Sequence, residues 1–163
     1  NQKILSISRF ATKTNFKMNA ENQKLDLVEF ITEYIENIAV AYIDGLSVNI
    51  VCDTNLKFVT LFRPIEMTIV IDNLINNSRK ASATVLSVSI KIDNEELFVS
   101  FKDNGIGIPY KLRNKVFDFG FTTTGGSGLG LTHILEIVSK MKGKIDLVSP
   151  GDTGAEFLLT FKK

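Results

Sequence analysis

The chain has 163 residues, 44% of them apolar, which suits one domain with a sizeable buried core and argues against disorder. Nineteen basic and eighteen acidic residues leave a net charge of +1, without the electrostatic footprint of a nucleic-acid or anionic-membrane binder. No apolar run is long enough to span a bilayer and no signal peptide opens the chain, while the single Cys52 excludes an internal disulfide and fits a reducing compartment.

Residues 4–16 begin with helical spacing in Ile4, Leu5, Ile7 and Phe10, then lose it at Thr12, Thr14 and Asn15. They read as the tail of an element that leads into an extended piece at residues 15–19. The start at Asn1 without Met reads as a fragment of a longer protein. Asp26 opens a helix, with Glu29 at capping-box spacing and Leu27, Phe30, Ile31, Tyr34, Ile35 and Ile38 on one face. After the Asp44-Gly45 turn, residues 46–52 and 56–62 read as two strands of a hairpin joined through Asp53-Thr54-Asn55.

Residues 64–83 read as a helix with proline in its first turn. At 100° per residue, Asn77 lies about 40° from Asn73 and Lys80 roughly 20° to the other side. Met67, Val70, Ile71, Leu74 and Ile75 fill a separate apolar arc. Residues 85–92 and 97–102 alternate as a second hairpin around residues 93–96. A loop to Pro109, a short helical piece at 110–117 and a Gly/Thr-rich segment to Gly126 follow. Residues 128–141 form an amphipathic helix closed by Gly143, and 145–148 pairs with 157–161 around a Pro-Gly turn. Hairpins with helices between them give an α+β fold: a two-layer sandwich with a mixed, largely antiparallel sheet covered on one face by helices.

Three stretches carry chemistry beyond packing. An amide oxygen at Asn73 or Asn77 can bind a hard cation such as Mg²⁺, and the Lys80 ammonium can approach phosphate. Asp103 ends a strand and precedes Gly105-Ile106-Gly107-Ile108; its carboxylate can accept from an exocyclic amine, and the glycines let backbone approach a flat ring. Gly125-Gly126-Ser127-Gly128-Leu129-Gly130 leads straight into a helix, whose exposed amides suit phosphate. No lysine follows as a Walker A loop requires, and no buried strand of a parallel βαβ unit precedes as a dinucleotide fingerprint requires. Singly, these stretches also suit a solvated helix face, an ordinary turn and a surface loop.

Taken in order, the boxes strongly resemble the catalytic, ATP-binding domain of bacterial sensor histidine kinases, within the Bergerat-fold (GHKL) ATPases. The matches are Asn73-Leu74-Ile75-Asn76-Asn77 with Lys80, Asp103-x-Gly105-x-Gly107, residues 116–121, and Gly126-Ser127-Gly128-Leu129-Gly130-Leu131, with a partial closing box at Gly154-Ala155-Glu156-Phe157. The resemblance divides the chain into residues 1–16, the end of a dimerisation and phosphoacceptor helix or a linker, and residues 17–163, the ATP-binding domain.

The resemblance implies that Asn73, Asn77 and Lys80 are catalytic and that Asn77 holds Mg²⁺. It places Asp103, Gly105, Gly107 and Ile108 at the adenine. Phe117, Phe119 and Phe121 anchor a mobile lid, with Phe119 also at the nucleotide, and Thr122, Thr123, Gly126, Ser127, Gly128, Leu129 and Gly130 surround the phosphates. Four departures stand out: Ala81 where an aromatic is common, a short lid, Thr124 where short lids often carry lysine, and Ala155 where the closing box often carries threonine.

The implied function is binding of Mg-ATP and transfer of the γ-phosphoryl group to a histidine outside this chain, on the protein's own dimerisation domain, with a response regulator downstream. The chain alone is then not expected to autophosphorylate. It is expected to be monomeric and cytoplasmic, on its own account or as the cytoplasmic part of a membrane-bound sensor, and the full-length protein a homodimer. His133, the only histidine, sits inside a helix without an adjacent acid and reads as structural. The alternatives are a Bergerat ATPase that hydrolyses ATP to drive conformational change, a degenerate binding module without nucleotide, and an anti-sigma-type serine kinase. The hydrolysing relatives and the serine kinases carry a glutamate base where this chain has Asn73, and an amide cannot take the proton.

Overall fold

The computed structural model describes residues 21–123, 125–149 and 153–163, together with Leu5. The expected tail at 1–16 and the extended piece at 15–19 lie outside the described residues, Leu5 apart. The first described strand is β1 (Gln23–Asp26), directly followed by α1 (Leu27–Tyr34). Asp26 caps that helix as expected: its carboxylate accepts from the Val28 and Glu29 amides. The same oxygen accepts from the Phe58 amide at 3.1 Å, so one side chain fixes both the helix start and a distant strand. The chain continues helically through a wider π turn (Ile35–Ala39) and a 3₁₀ turn (Val40–Tyr42).

β2 (Ser47–Cys52) and β3 (Val59–Phe62) are strands, but they do not form the expected hairpin. β3 pairs antiparallel with β1 in a two-stranded sheet, and β2 pairs parallel with the strand Val85–Asp93 (β4) at the edge of the main sheet. Asp26, and the Leu27 amide, which donates to Phe58 O at 2.9 Å, tie the residue before β3 to the junction of β1 and α1, which seats β3 beside β1.

α2 (Pro64–Lys80) begins at its proline and ends three residues before the expected boundary, at the Ala81 cap. Glu66 in its first turn and Arg79 and Lys80 in its last complement the helix dipole. Met67, Val70, Ile71, Leu74 and Ile75, the expected apolar arc, are all buried. β4 (Val85–Asp93) and β5 (Glu96–Asp103) form the second hairpin as read, through Asn94 and Glu95, both at positive φ (47° and 65°) as a two-residue hairpin turn demands.

Of the helical piece expected at 110–117, only a 3₁₀ turn (Tyr110–Leu112) forms. α3 (Gly130–Lys140) is shorter than the expected 128–141. Its left-handed end residue is Lys142 (φ 56°) rather than Gly143. Gly143 serves close packing instead, since a Cβ there would lie 2.8 Å from both the Phe161 ring and Thr160 O. β6 (Lys144–Ser149) and β7 (Glu156–Lys162) pair antiparallel as read.

The main sheet runs β2-β4-β5-β7-β6, parallel only at β2–β4, so it is mixed and largely antiparallel as expected. Leu86, Val88 and Ile90, Leu97, Val99 and Phe101, and Phe157, Leu159 and Phe161 alternate inward into one core with α1, α2 and α3. The opposite face carries polar groups such as Ser100, which donates to Glu156 at 2.6 Å. Lys140 reaches Glu66 at 3.9 Å, where the end of α3 meets the start of α2.

Candidate functional site

Between α2, the strand end at Asp103 and the start of α3 lies a cavity of about 350 Å³, within the range of small-ligand sites. Its walls come from segments far apart in sequence, and backbone bonds hold them together. Ile106 N donates to Ala81 O at 2.9 Å, tying the glycine turn after β5 to the end of α2. Gly154 N donates to Gly105 O at 2.7 Å, tying the approach to β7 to the same turn.

Asp103 is 9% exposed and its carboxylate is well supplied with donors. Oδ1 accepts from Gly105 N at 2.9 Å and Ala155 N at 3.2 Å. Oδ2 accepts from the buried Ser78 hydroxyl at 3.1 Å. A carboxylate offers about four lone-pair positions, so this group, fixed in place, keeps acceptor capacity toward the cavity it lines. A Cβ on Gly105 would lie 2.5 Å from Ala81 O, so glycine is what lets the turn close against α2.

At the other end, Asn73, Asn77 and Lys80 line the cavity from α2. The Asn73 amide nitrogen donates back to Ile69 O at 2.8 Å, which leaves its oxygen toward α3. A Cβ at Gly130, the first residue of α3, would stand 2.9 Å from that oxygen. The first helical bond of α3 runs from His133 N to Leu129 O, and no side chain caps the helix. Its leading amides therefore remain available beside the lining residues Gly130 and Leu131. Lys80 Nζ lies 3.0 Å from where a Gly126 Cβ would be, and Gly126 N is held by the Thr122 hydroxyl at 3.1 Å. Gly128, at φ +69°, packs so closely on Gly120 that a side chain would strike the Gly120 carbonyl.

The structure brings Asn73, Asn77, Lys80, Asp103, Gly107, Ile108, Thr122, Thr123, Gly126, Ser127, Gly128 and Gly130 to this one cavity. Three expected nucleotide-site residues do not line it. Gly105 lies behind Asp103 as a spacer, Leu129 is exposed, and Phe119 is 82% exposed because it lies in a surface turn. Of the other lid aromatics, Phe121 lines the cavity, and Phe117 packs edge-on against Phe157 with ring centres 6.3 Å apart.

Sequence reasoning gave no site role to Asn76 and Arg79, which flank the stripe on α2, or to Ile106, Val116, Leu131 and Phe157, which with Ala155 of the closing box form the apolar wall. It also missed Ser78, whose signal was its place one residue after Asn77 on the same helix. Among the described residues no group of three or more His, Cys, Asp or Glu could hold a metal. A divalent cation fits here only through a hard amide oxygen such as that of Asn77 together with oxygens of a phosphate ligand and water.

The sequence profile for histidine kinase-, DNA gyrase B- and HSP90-like ATPases matches residues 63–163. Among curated relatives, histidine protein kinase SaeS of Staphylococcus epidermidis is 35% identical over 109 residues, covering 61% of this chain and 31% of that protein. Sensor histidine kinase WalK of Bacillus subtilis is 39% identical over 111 residues, 60% of this chain and 18% of its own length. The chain thus spans about a third or less of the curated relatives it matches. Among solved structures, the nucleotide-free catalytic domain of histidine kinase ThkA superposes with TM-score 0.72 at 25% identity, covering 88% of this chain and 96% of that one. Full-length ShkA in complex with AMPPNP shares the fold, with TM-score 0.71 at 20% identity over 98% of this chain and 34% of that one. The mixed sheet with its helical layer and the match over residues 63–163 agree: this chain belongs to the histidine kinase-, DNA gyrase B- and HSP90-like ATPase family.

Proposed function

We propose that this chain binds ATP with Mg²⁺ and passes the γ-phosphoryl group to a histidine on a dimerisation domain outside it, as the catalytic part of a two-component sensor kinase. The observation that carries this reading is the single cavity with a fixed acceptor carboxylate at one end and two carboxamides, an ammonium and a bare helix start at the other. Asp103 accepts from the purine amine, while Ile106, Ile108, Val116 and Phe157 offer apolar surface to the ring. Lys80 and the leading amides of α3 receive phosphate oxygens, and Asn77 offers the oxygen for the cation. Mg²⁺, when bound, neutralises phosphate charge and orients the leaving group.

Transfer is favoured over hydrolysis by what lines the phosphate end. Asp103 is the only carboxylate among the described lining residues, and it belongs to the purine end, held by Ser78, Gly105 and Ala155. No described lining group beside Asn73 and Asn77 can take a proton from water or a hydroxyl at neutral pH. His133 is exposed and lines no part of the cavity, so the acceptor histidine comes from elsewhere. The partners that follow are the protein's own dimerisation domain, a second copy in the full-length homodimer, and a response regulator in the cytoplasm.

The test mixes this chain with γ-labelled ATP, with and without the dimerisation domain of its parent. Acid-labile label on that domain's histidine, lost in Asn77→Ala, is the expected result. Steady phosphate release by the chain alone would make it a hydrolase instead, and acid-stable label on serine would make it a serine kinase.

A further inference from the structure

The described arginines differ in what they do. Arg63 pairs with Glu66 at 3.2 Å, and the Arg113 guanidinium donates to the Tyr110 hydroxyl at 2.8 Å. Arg79 is exposed, makes no ion pair or side-chain hydrogen bond with another described residue, and lines the cavity beside Lys80. Lys80 also forms no ion pair among the described residues.

We propose that Arg79 is a second phosphate-binding cation of this site, positioned to take the outer phosphate oxygens of the nucleotide with its guanidinium fork. The proposal rests on the nucleotide reading above and adds to it a residue that the motifs do not assign. The charge balance supports it. A magnesium-bound triphosphate keeps roughly two net negative charges. The positively charged lining residues at the described part of the cavity are Lys80 and Arg79, and the lid position that could carry a further lysine is Thr124. Without Arg79, Lys80 and the partial charge of the α3 terminus meet that charge alone.

Geometry explains why an arginine suits this place. Arg79 lies on the last turn of α2, at the rim rather than in the Asn73–Asn77–Lys80 stripe, so its head must reach inward. A long side chain with a planar fork can span that distance and bind two oxygens of one phosphate. Nearby Asn76, also exposed and lining the cavity, leaves the rim polar rather than closed by apolar contacts.

The experiment measures binding of adenosine, AMP, ADP and ATP, with Mg²⁺, to the wild-type chain and to Arg79→Ala and Arg79→Lys, at two salt concentrations. Affinity that rises with phosphate number in the wild type establishes the site itself, and a flat series would remove the nucleotide reading. Given that rise, Arg79→Ala should weaken ATP about tenfold, ADP less, and adenosine and AMP not at all, with a shallower salt dependence. Arg79→Lys should recover part of the loss. An unchanged ATP-to-AMP ratio in Arg79→Ala would overturn the role of Arg79 while leaving the site standing. Equal losses for all four ligands would overturn it too, by showing a general change of shape. Melting of the unliganded variants should match the wild type, since Arg79 is exposed.

Discussion

The Ser78 hydroxyl donates to Asp103 Oδ2 at 3.1 Å while Leu74 O lies 3.3 Å away as a second acceptor for the same hydrogen. One proton with two acceptors in reach lets the hydroxyl turn without being stranded. In Asp103→Asn the amide oxygen can still accept from Gly105 and Ala155. Its nitrogen can donate to Ser78, which turns to Leu74 O. The variant should therefore fold with a loss of no more than about 1–2 kcal/mol. On the proposed reading it presents a donor where the purine amine needs an acceptor, so the ~2.7 kcal/mol of stabilisation expected from ligand at 100 times Kd should vanish. Thermal melting with and without nucleotide separates the two effects. Asp103→Ala, which strands two backbone amides, should cost about 2–3 kcal/mol before any ligand is added.

Gly130 faces Asn73, and adding one carbon tests that contact. A Cβ there would crowd the Asn73 oxygen at 2.9 Å, the far end of a side chain that can move. Helix propensity gains roughly 1 kcal/mol from glycine to alanine, so Gly130→Ala should not lower the melting temperature. Nucleotide affinity should fall about tenfold as Asn73 is displaced, and a double-mutant cycle with Asn73→Ala should show the two changes to be less than additive. Independent losses would mean that residue 130 acts on the ligand without Asn73.

Gly128 responds differently from Gly130. Its φ is +69° and a side chain would meet the Gly120 backbone, which cannot swing aside. Gly128→Ala should cost nucleotide binding at least as much as Gly130→Ala and should also lower stability, by about 1–3 kcal/mol. Denaturant unfolding of the unliganded chain is the measurement.

Tyr34 links α1 to α2 through Asp72, its hydroxyl 3.1 Å from both carboxylate oxygens. Burial, and then the Asp72 charge, push that hydroxyl well above the ordinary value of 10.0. Above pH 10 the unfolded chain releases this proton while the folded chain keeps it, so stability falls as pH rises. The slope approaches about 1.4 kcal/mol per pH unit. The stabilisation is complete below pH 10. Tyr34→Phe should remove this alkaline dependence, which urea unfolding between pH 9 and roughly 11 can follow. An unchanged slope would place the titration elsewhere.

His133 should prove dispensable for binding. It is exposed on α3 and touches no part of the cavity, so His133→Gln should leave ATP affinity within about twofold of wild type by calorimetric titration.

The α2 stripe was legible because helical geometry places Asn73, Asn77 and Lys80 together from spacing alone, and Asp103 announced itself at a strand end. Strand partners were not legible. Residues 46–52 and 56–62 alternate well enough to be strands, but alternation does not say what lies alongside. The deciding bonds, from Asp26 and Leu27 to Phe58, cross about thirty residues. β1 escaped notice because Gln23, Lys24 and Asp26 leave only Leu25 to mark it. Arg79 and Asn76 were passed over because they sit off the stripe, where a charged residue ordinarily faces water. The wall from Val116 and Phe157 beside Ala155 forms only once the sheet has closed.

Three lengths of chain meet where Ala81 O takes the Ile106 amide and Gly105 O takes the Gly154 amide. None can withdraw without disturbing the other two, so this corner should open as a cooperative unit rather than fray residue by residue. An occupant seated against it becomes a fourth strut. Amide exchange at Ile106 and Gly154 should then slow together when the cavity fills, so that filling is sensed in loops brought together only by folding.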